Sequence, residues 1–191
     1  MTITTQNTLL VAFSGNGDDQ CLTASDINKQ MNSVLEQIAH ATAAFGAVAH
    51  AVTDFGSIID DVWHEALCRS GQTWQMTVIA SGNRDMCNSA SKKAVLKTAA
   101  TFLEFPDEEN THQRDEAVAT YCDLLVVVWN GGNAGDTARL IRHFLLLRKP
   151  VVWLEQGSDK TSVRCCRLEH LYHSALASLE WGDLSIRDLF D

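Results

Sequence analysis

Short uninterrupted apolar runs alternate along this chain with longer stretches in which apolar residues recur every three or four positions. The clearest short run is 124–129, L-L-V-V-V-W, cut off by Asn130-Gly131-Gly132. It is too short for a typical helix and rich in β-branched residues, so it predicts a strand buried on both faces. Residues 137–147 then carry apolar side chains at 140, 141, 144, 145 and 147, the spacing of an amphipathic helix, and Lys149-Pro150 ends it before a second apolar run at 151–154. Strand, loop, helix and strand in this order make the crossover unit of a parallel sheet.

The same alternation extends over the rest of the chain. Residues 8–13 predict a first strand, broken by Ser14-Gly15-Asn16-Gly17, and Ser25 or Asp26 caps a helix with apolar positions at 27, 31, 34, 35, 38 and 39, up to about Phe45. Strands follow at 46–53, 74–80 and 99–105, and helices at 58–68, 89–98 and 111–121. The acidic positions Asp60, Asp61 and Glu65 are expected on the solvated start and flank of the second helix. His50, alone in its strand, is expected to be a packing residue. A last helical segment is predicted over 163–179, within a C-terminal helical extension (156–191) whose apolar tail packs on the sheet or on another subunit. The expected fold is a single α/β domain spanning 1–191, with a Rossmann-like open, mainly parallel sheet and helices on both faces.

Composition narrows the class. With 191 residues, 46% hydrophobic and 20% charged, the chain suits one folded domain with a sizeable core. Its net charge of −9 argues against general nucleic-acid binding or attachment to an anionic membrane. The six cysteines form no C-x-x-C pair and no framework spacing, which suits reduced thiols. Residues 1–7 lack the basic-then-apolar form of a signal peptide, and no apolar run approaches the ~20 residues of a membrane helix. The expectation is a cytoplasmic protein. Cys166, His170 and His173 would share a face of the last helix and could hold zinc if a fourth ligand arrived. Nothing nominates that ligand, so neither metal nor cofactor is expected.

Candidate binding chemistry gathers where strands end in Gly- and Asn-rich loops. Gly131, Gly132 and Gly135 remove side chains where a ligand could approach the backbone, and Gly135-Asp136-Thr137 stands at a helix start with its uncommitted N–H groups. Ser14, Gly15, Asn16 and Gly17 form a similar loop, echoed by Ser81-Gly82-Asn83-Arg84-Asp85, where Arg84 is the best single cation for a phosphate, the alternative being a surface ion pair with Asp85 or a nearby carboxylate. In open α/β sheets ligands bind beyond the carboxyl ends of the strands, where these loops are expected. The plainer alternative is that the glycines only make turns while Asp136 or Thr137 caps the helix. The acidic residues Asp115 and Glu116 belong by the same plain account to a charged outer helix face.

The run Cys122-Asp123-Leu124-Leu125-Val126-Val127-Val128-Trp129-Asn130-Gly131, with Ala134-Gly135-Asp136-Thr137-Ala138 and Lys149-Pro150-Val151-Val152-Trp153, resembles the C-terminal half of the SLOG superfamily. Its members read roughly C-D-x-L-I-A-V-W-D-G, then G-G-T-A, then G-K-P-V-I-W, and residues 11–15 look like their first strand and loop. The resemblance implies a Rossmann-like protein that binds nucleotides or nucleotide-derived ligands. The superfamily includes the Lonely-guy phosphoribohydrolases and sensor domains of bacterial antiviral conflict systems that recognise NAD-derived or cyclic nucleotide signals. It implies here a sensor or effector subunit, working as a homo-oligomer, with the ligand at Ser14–Gly17, Gly82–Arg84, Asn130–Gly132 and Gly135–Thr137. Two departures bear on chemistry. Asn16-Gly17 replaces the family's His-Arg, and Asp136 replaces a glycine, adding negative charge. The glutamate that the hydrolases and deoxyribosyltransferases carry three residues after the threonine is Leu140 here, which weakens catalysis more than binding. An N-glycosidic hydrolase or transferase remains the alternative, with Glu116, Asp136 or Asp54 as its acid or nucleophile.

Overall fold

The computed structural model describes residues 7–16, 25–54, 58–70, 74–81, 101–105, 111–155, 163–166 and 186. They form β1 (Asn7–Gly15), α1 (Ser25–Ala44), β2 (Ala47–Asp54), α2 (Ile58–Arg69), β3 (Gln75–Ser81) and β4 (Thr101–Phe105). Then come α3 (Thr111–Tyr121), β5 (Leu124–Trp129), α4 (Asp136–Leu146), β6 (Val151–Glu155) and β7 (Val163–Cys166). One sheet holds all the strands in the order β4-β3-β2-β1-β5-β6-β7. β1 to β6 run parallel, and β7 closes the far edge antiparallel to β6.

Period-two alternation divides the core into two layers. On one face Val11, Phe13, Leu124, Val126 and Val128 pack with Ile27, Met31, Val34, Leu35 and Ile38 of α1 and Ile59 and Trp63 of α2. On the other, Ala12, Val52, Leu125, Val127 and Trp129 pack with Ala119 of α3 and Ala138, Ile141 and Phe144 of α4. Both layers must be dry for β5, every residue of which is buried, and this explains why its sequence is an unbroken apolar run rather than an alternating one. The architecture is an α/β Rossmann-like fold.

The helix ends follow local chemistry. Gly46 takes φ 64° past the end of α1, a conformation that costs glycine little, and its N–H donates to the Ala43 carbonyl at 3.1 Å. Lys149 closes α3: its Nζ donates to the carbonyls of Thr120 at 2.6 Å and Cys122 at 2.8 Å, placing a cation at the negative end of the helix.

Four expectations are corrected. Ser14 and Gly15 are the last residues of β1, paired with Val127 and Val128, because a central strand flanked on both sides can carry turn-prone residues in its ladder. Residues 163–166 form a strand instead of a helix. The helical apolar spacing begins only at Leu168, whereas residues 163–166 pair with β6 and cover the edge that it would otherwise expose. Cys166 therefore lies in β7 and does not start a helical Cys/His face; His170, His173 and the helix expected over 89–98 fall outside the described residues. Asp60 is buried at 4% exposure instead of solvated, inside the first turn of α2, where free N–H groups favour a carboxylate. Asp115 is buried at 2% exposure rather than on an outer face, because Arg114 and Arg139 both pair with its carboxylate.

His50 is half-buried against Thr77, 2.7 Å from its hydroxyl, and burial lowers its pKa against the opposing pull of Gln75. The tail reaches the sheet at Ile186, which is fully buried in the α1/α2 layer. Among the described residues no helix is long and apolar enough to cross a membrane.

Cys122 is buried, and desolvation pushes its thiol up to about 12, Asp123 adding to the rise and Lys149 opposing it. Cys68 is exposed on α2. Alkylation of the native protein by iodoacetamide at pH 8 should therefore mark Cys68 and spare Cys122 until denaturant is added. Peptide mapping that found Cys122 labelled as early as Cys68 would contradict the packing described here.

Candidate functional site

Strand order creates the site. The chain moves outward from β1 through β2 and β3 to β4, then returns to place β5 on the other side of β1. The helices after β1 and β5 lie on opposite faces of the sheet, so the carboxyl ends of these two strands form the topological switch point, the crevice position at which ligands enter open α/β sheets.

Two loops meet there at close range. A Cβ on Gly15 would stand 2.6 Å from the Val128 carbonyl oxygen and 3.0 Å from Ile59 Cγ1, so only glycine lets β1 and β5 approach as they do. Just beyond, the Asn16 N–H donates to the Val128 carbonyl at 3.0 Å. Asn16 Nδ2 donates to Asn130 Oδ1 at 3.4 Å, and the Asn130 N–H returns a bond to Asn16 Oδ1 at 3.3 Å. Asn130 Oδ1 also accepts from the Gly132 N–H at 3.0 Å. The two loops are therefore joined by an amide pair across the crevice.

The β5–α4 loop is held from behind. Trp129 Nε1 donates to the Gly132 carbonyl at 3.0 Å, and Trp153 Nε1 to the Trp129 carbonyl at 2.8 Å. Arg142 reaches back from α4 to the Asn133 carbonyl at 2.6 Å. Gly131 and Gly135 take φ of 83° and 93°, the left-handed side that other residues rarely enter. Gly135 is the N-cap of α4, and no side chain caps the helix. The plain reading in which Asp136 or Thr137 serves as the cap is thus set aside. Asp136 is 68% exposed in the first turn, while Thr137 is buried with Ala138 and Ile141 on the inner face.

Beside the crevice a cleft runs over the ends of β1, β2 and β3. Its apolar floor includes Ala12, Val52, Ile79 and Leu140, and its polar wall includes Ser14, Asp54, Arg114, Asp115 and Asp136. The wall is an ionic chain. Arg114 lies 2.5 Å from Asp54 and 2.9 Å from Asp115. Asp115 pairs in turn with Arg139 at 2.7 Å, and Arg139 with Asp136 at 3.0 Å. The order Asp54, Arg114, Asp115, Arg139, Asp136 ties the end of β2 to the starts of α3 and α4. Burial alone would lower the Arg114 pKa, but Asp54, Asp115 and Asp136 outweigh it and raise the value. The guanidinium is charged at every accessible pH.

The expected site residues divide as follows. Ser14, Gly15, Asn16, Asn130, Gly131, Gly132, Gly135 and Asp136 gather around the crevice and cleft, with Thr137 turned inward beneath them. Gly17, Gly82, Asn83 and Arg84 lie outside the described residues. Of the candidate carboxylates, Asp54 and Asp136 line the cleft; Glu116 is exposed on α3 and is not part of its wall. Leu140, where the hydrolase-type glutamate would stand, lines the cleft with an alkyl side chain.

Sequence reading missed Arg114, Arg139, Arg142 and Trp63, whose indole N–H donates to the Ser14 carbonyl at 3.2 Å. The Asp136/Arg139 spacing of three was a usable signal. Nothing local connects Arg114 with Asp54, because the pair exists only once the sheet is assembled. A scan of protein-family models finds no match to this chain, and a comparison with curated proteins finds no similar sequence.

Proposed function

We propose that this protein binds a nucleotide-derived small molecule, of the NAD-derived or cyclic nucleotide kind, at the carboxyl edge of its sheet. The observation that carries the reading is the pair of glycine-dependent loops meeting through Asn16 and Asn130 where the strand order reverses. Backbone amides at the bare start of α4 suit an anionic group, and they stand beside the cleft with its apolar floor and polar wall. The resemblance to SLOG proteins, which rests on the same loops, supports a sensor or effector subunit that works as a homo-oligomer in bacterial antiviral defence. Binding is favoured over hydrolysis because Leu140 offers no acid or base, and both cleft carboxylates of the candidate set are engaged by arginines.

The test is a thermal-unfolding series of the purified protein with ADP-ribose, NAD and cyclic dinucleotides. A ligand at a hundred times its Kd contributes about 2.7 kcal/mol, so one member should raise the midpoint by roughly 5–10 °C for a chain of this size. Chromatography should recover that ligand unchanged. Release of free base, abolished by Asp54→Asn or Asp136→Asn, would establish the N-glycosidic enzyme instead. A panel without any shift would dispose of both.

A further inference from the structure

A second cavity lies at the opposite edge of the sheet, where β2 and β3 begin and α1 ends. It holds about 270 Å³ and is lined by Ala39, Thr42 and Ala43 of α1, Ala47 and Ala49 of β2, and Trp74 just ahead of β3. The sequence explains the space. Earlier turns of α1 cover the sheet with Ile27, Met31, Val34, Leu35 and Ile38. Its last turns bring Ala39, Thr42 and Ala43 against a strand that opens with the equally small Ala47 and Ala49.

The chemistry of the lining is narrow. None of the described lining residues is charged. Thr42 donates its hydroxyl proton within its own helix, to the carbonyls of Ile38 and Ala39 at 2.9 and 3.0 Å. Trp74 differs from the other described tryptophans. Trp63, Trp129 and Trp153 each donate the indole N–H to a carbonyl, whereas Trp74 Nε1 is buried with no hydrogen-bond partner among the described residues. A buried donor left unbonded is costly, and such an exception calls for a partner. The Trp74 ring is half-buried and meets Phe13 edge-on at 5.9 Å. The cavity it borders gives the ring space to turn its N–H toward an acceptor.

We infer that this cavity binds a neutral, flat molecule of one or two rings carrying a carbonyl or ring-nitrogen acceptor, its rings among the alanine methyls and its acceptor on the Trp74 N–H. An apolar cavity of about 150 Å³ holds benzene, so the space here suits a molecule of about ten non-hydrogen atoms. A charged molecule is disfavoured, because no lining group compensates the loss of its hydration. The site stands apart from the crevice, and its occupancy does not depend on what binds there.

Nuclear magnetic resonance of the isotope-labelled full chain reads the site through its indole N–H signals, the Trp74 signal being the one that Trp74→Phe removes. Three probes share one ring system: quinoline, naphthalene, which lacks the ring nitrogen, and N-methylquinolinium, which is charged. At pH 8 quinoline should move the Trp74 signal saturably, while N-methylquinolinium leaves it in place. By equilibrium dialysis quinoline should bind about 3- to 10-fold tighter than naphthalene, the effect of one neutral hydrogen bond, and in Trp74→Phe that advantage should vanish. Ala43→Leu, which fills the cavity from a good helix position, should abolish binding of both. Should that variant not fold, Trp74→Phe and the wild-type series decide. A Trp74 signal unmoved by quinoline, or equal affinities for quinoline and naphthalene, would overturn the assignment, as would quinoline binding that persists in a folded Ala43→Leu.

Discussion

Replacing Asp115 by alanine should lower the midpoint of thermal unfolding by about 6–12 °C, following a loss of roughly 3 kcal/mol. The side chain is 3% exposed and bonded to two guanidiniums, Arg114 at 2.9 Å and Arg139 at 2.7 Å. Those arginines are themselves only 12% and 28% exposed, so truncation strands two partly buried cations beside each other. The cost comes chiefly from this uncompensated charge, and the pair energy itself is secondary. Asp54 and Asp136 retain one arginine contact each, which keeps the loss below that of an isolated buried ion. Glu116→Ala, one position along on the exposed side of α3, is the matched control and should change stability by less than about 0.5 kcal/mol. Circular dichroism melts of the two variants check the pair. An Asp115→Ala midpoint within 2 °C of the parent, in the sense of a shift near 1 kcal/mol or less, would mean that the ionic chain does not hold α3 and α4 to β2.

The difference between Asp115 and Glu116 also marks where sequence reading stops. Both are acids in a helix of weak apolar pattern, and the chain alone gives no reason to bury one and expose the other. The strands were legible because Leu124 to Trp129 and Val151 to Leu154 are apolar runs that no helix of ordinary length would use. The helices α1 and α4 were legible from spacing. Ile27, Met31, Val34, Leu35 and Ile38 are all buried as the period requires. What failed were features set by neighbours distant in sequence. Residues 163–166 became a strand because β6 left an edge to be paired, and Ser14 stayed in β1 because β5 completed its ladder. The site followed the same division. Its glycines and asparagines announced the loops, whereas Arg114 meets Asp54 sixty residues upstream and had no local signature.

This division has a functional side. Loops written in glycine specify that a backbone must come close to something, without specifying what. The ionic chain ties the end of β2 to the starts of α3 and α4, through carboxylates and arginines that touch only after folding. Under the proposed reading, a ligand reaching from the loops at Asn130 to the cleft would meet this chain, and the starts of α3 and α4 would feel its arrival through Arg114, Asp115 and Arg139.

Gly15→Ala should be the most damaging single methyl group that can be added around the crevice. Gly15 has no left-handed φ to satisfy, in contrast with Gly131 and Gly135, so the penalty must arise from crowding. The new Cβ would lie 2.6 Å from the Val128 carbonyl oxygen and 3.2 Å from Val128 Cβ. The nearer atom is backbone in a fully buried strand, and it cannot rotate aside as a side chain would. β1 and β5 must separate, at a cost of roughly 3 kcal/mol, the upper part of the range for overpacking, or about 6–12 °C in the unfolding midpoint. The separation also stretches the bonds at 3.0, 3.3 and 3.4 Å that join Asn16 to Val128 and Asn130, so the variant should lose its ligand-induced stabilisation even where it remains folded. Gly46→Ala is the instructive comparison. No atom lies within 4 Å of its Cβ position and only its φ of 64° is unfavourable, so it should cost about 1 kcal/mol and leave ligand response untouched. If Gly15→Ala melted no lower than Gly46→Ala and still responded to ligand, β1 and β5 would have slack between them, and the crevice would not depend on their close approach.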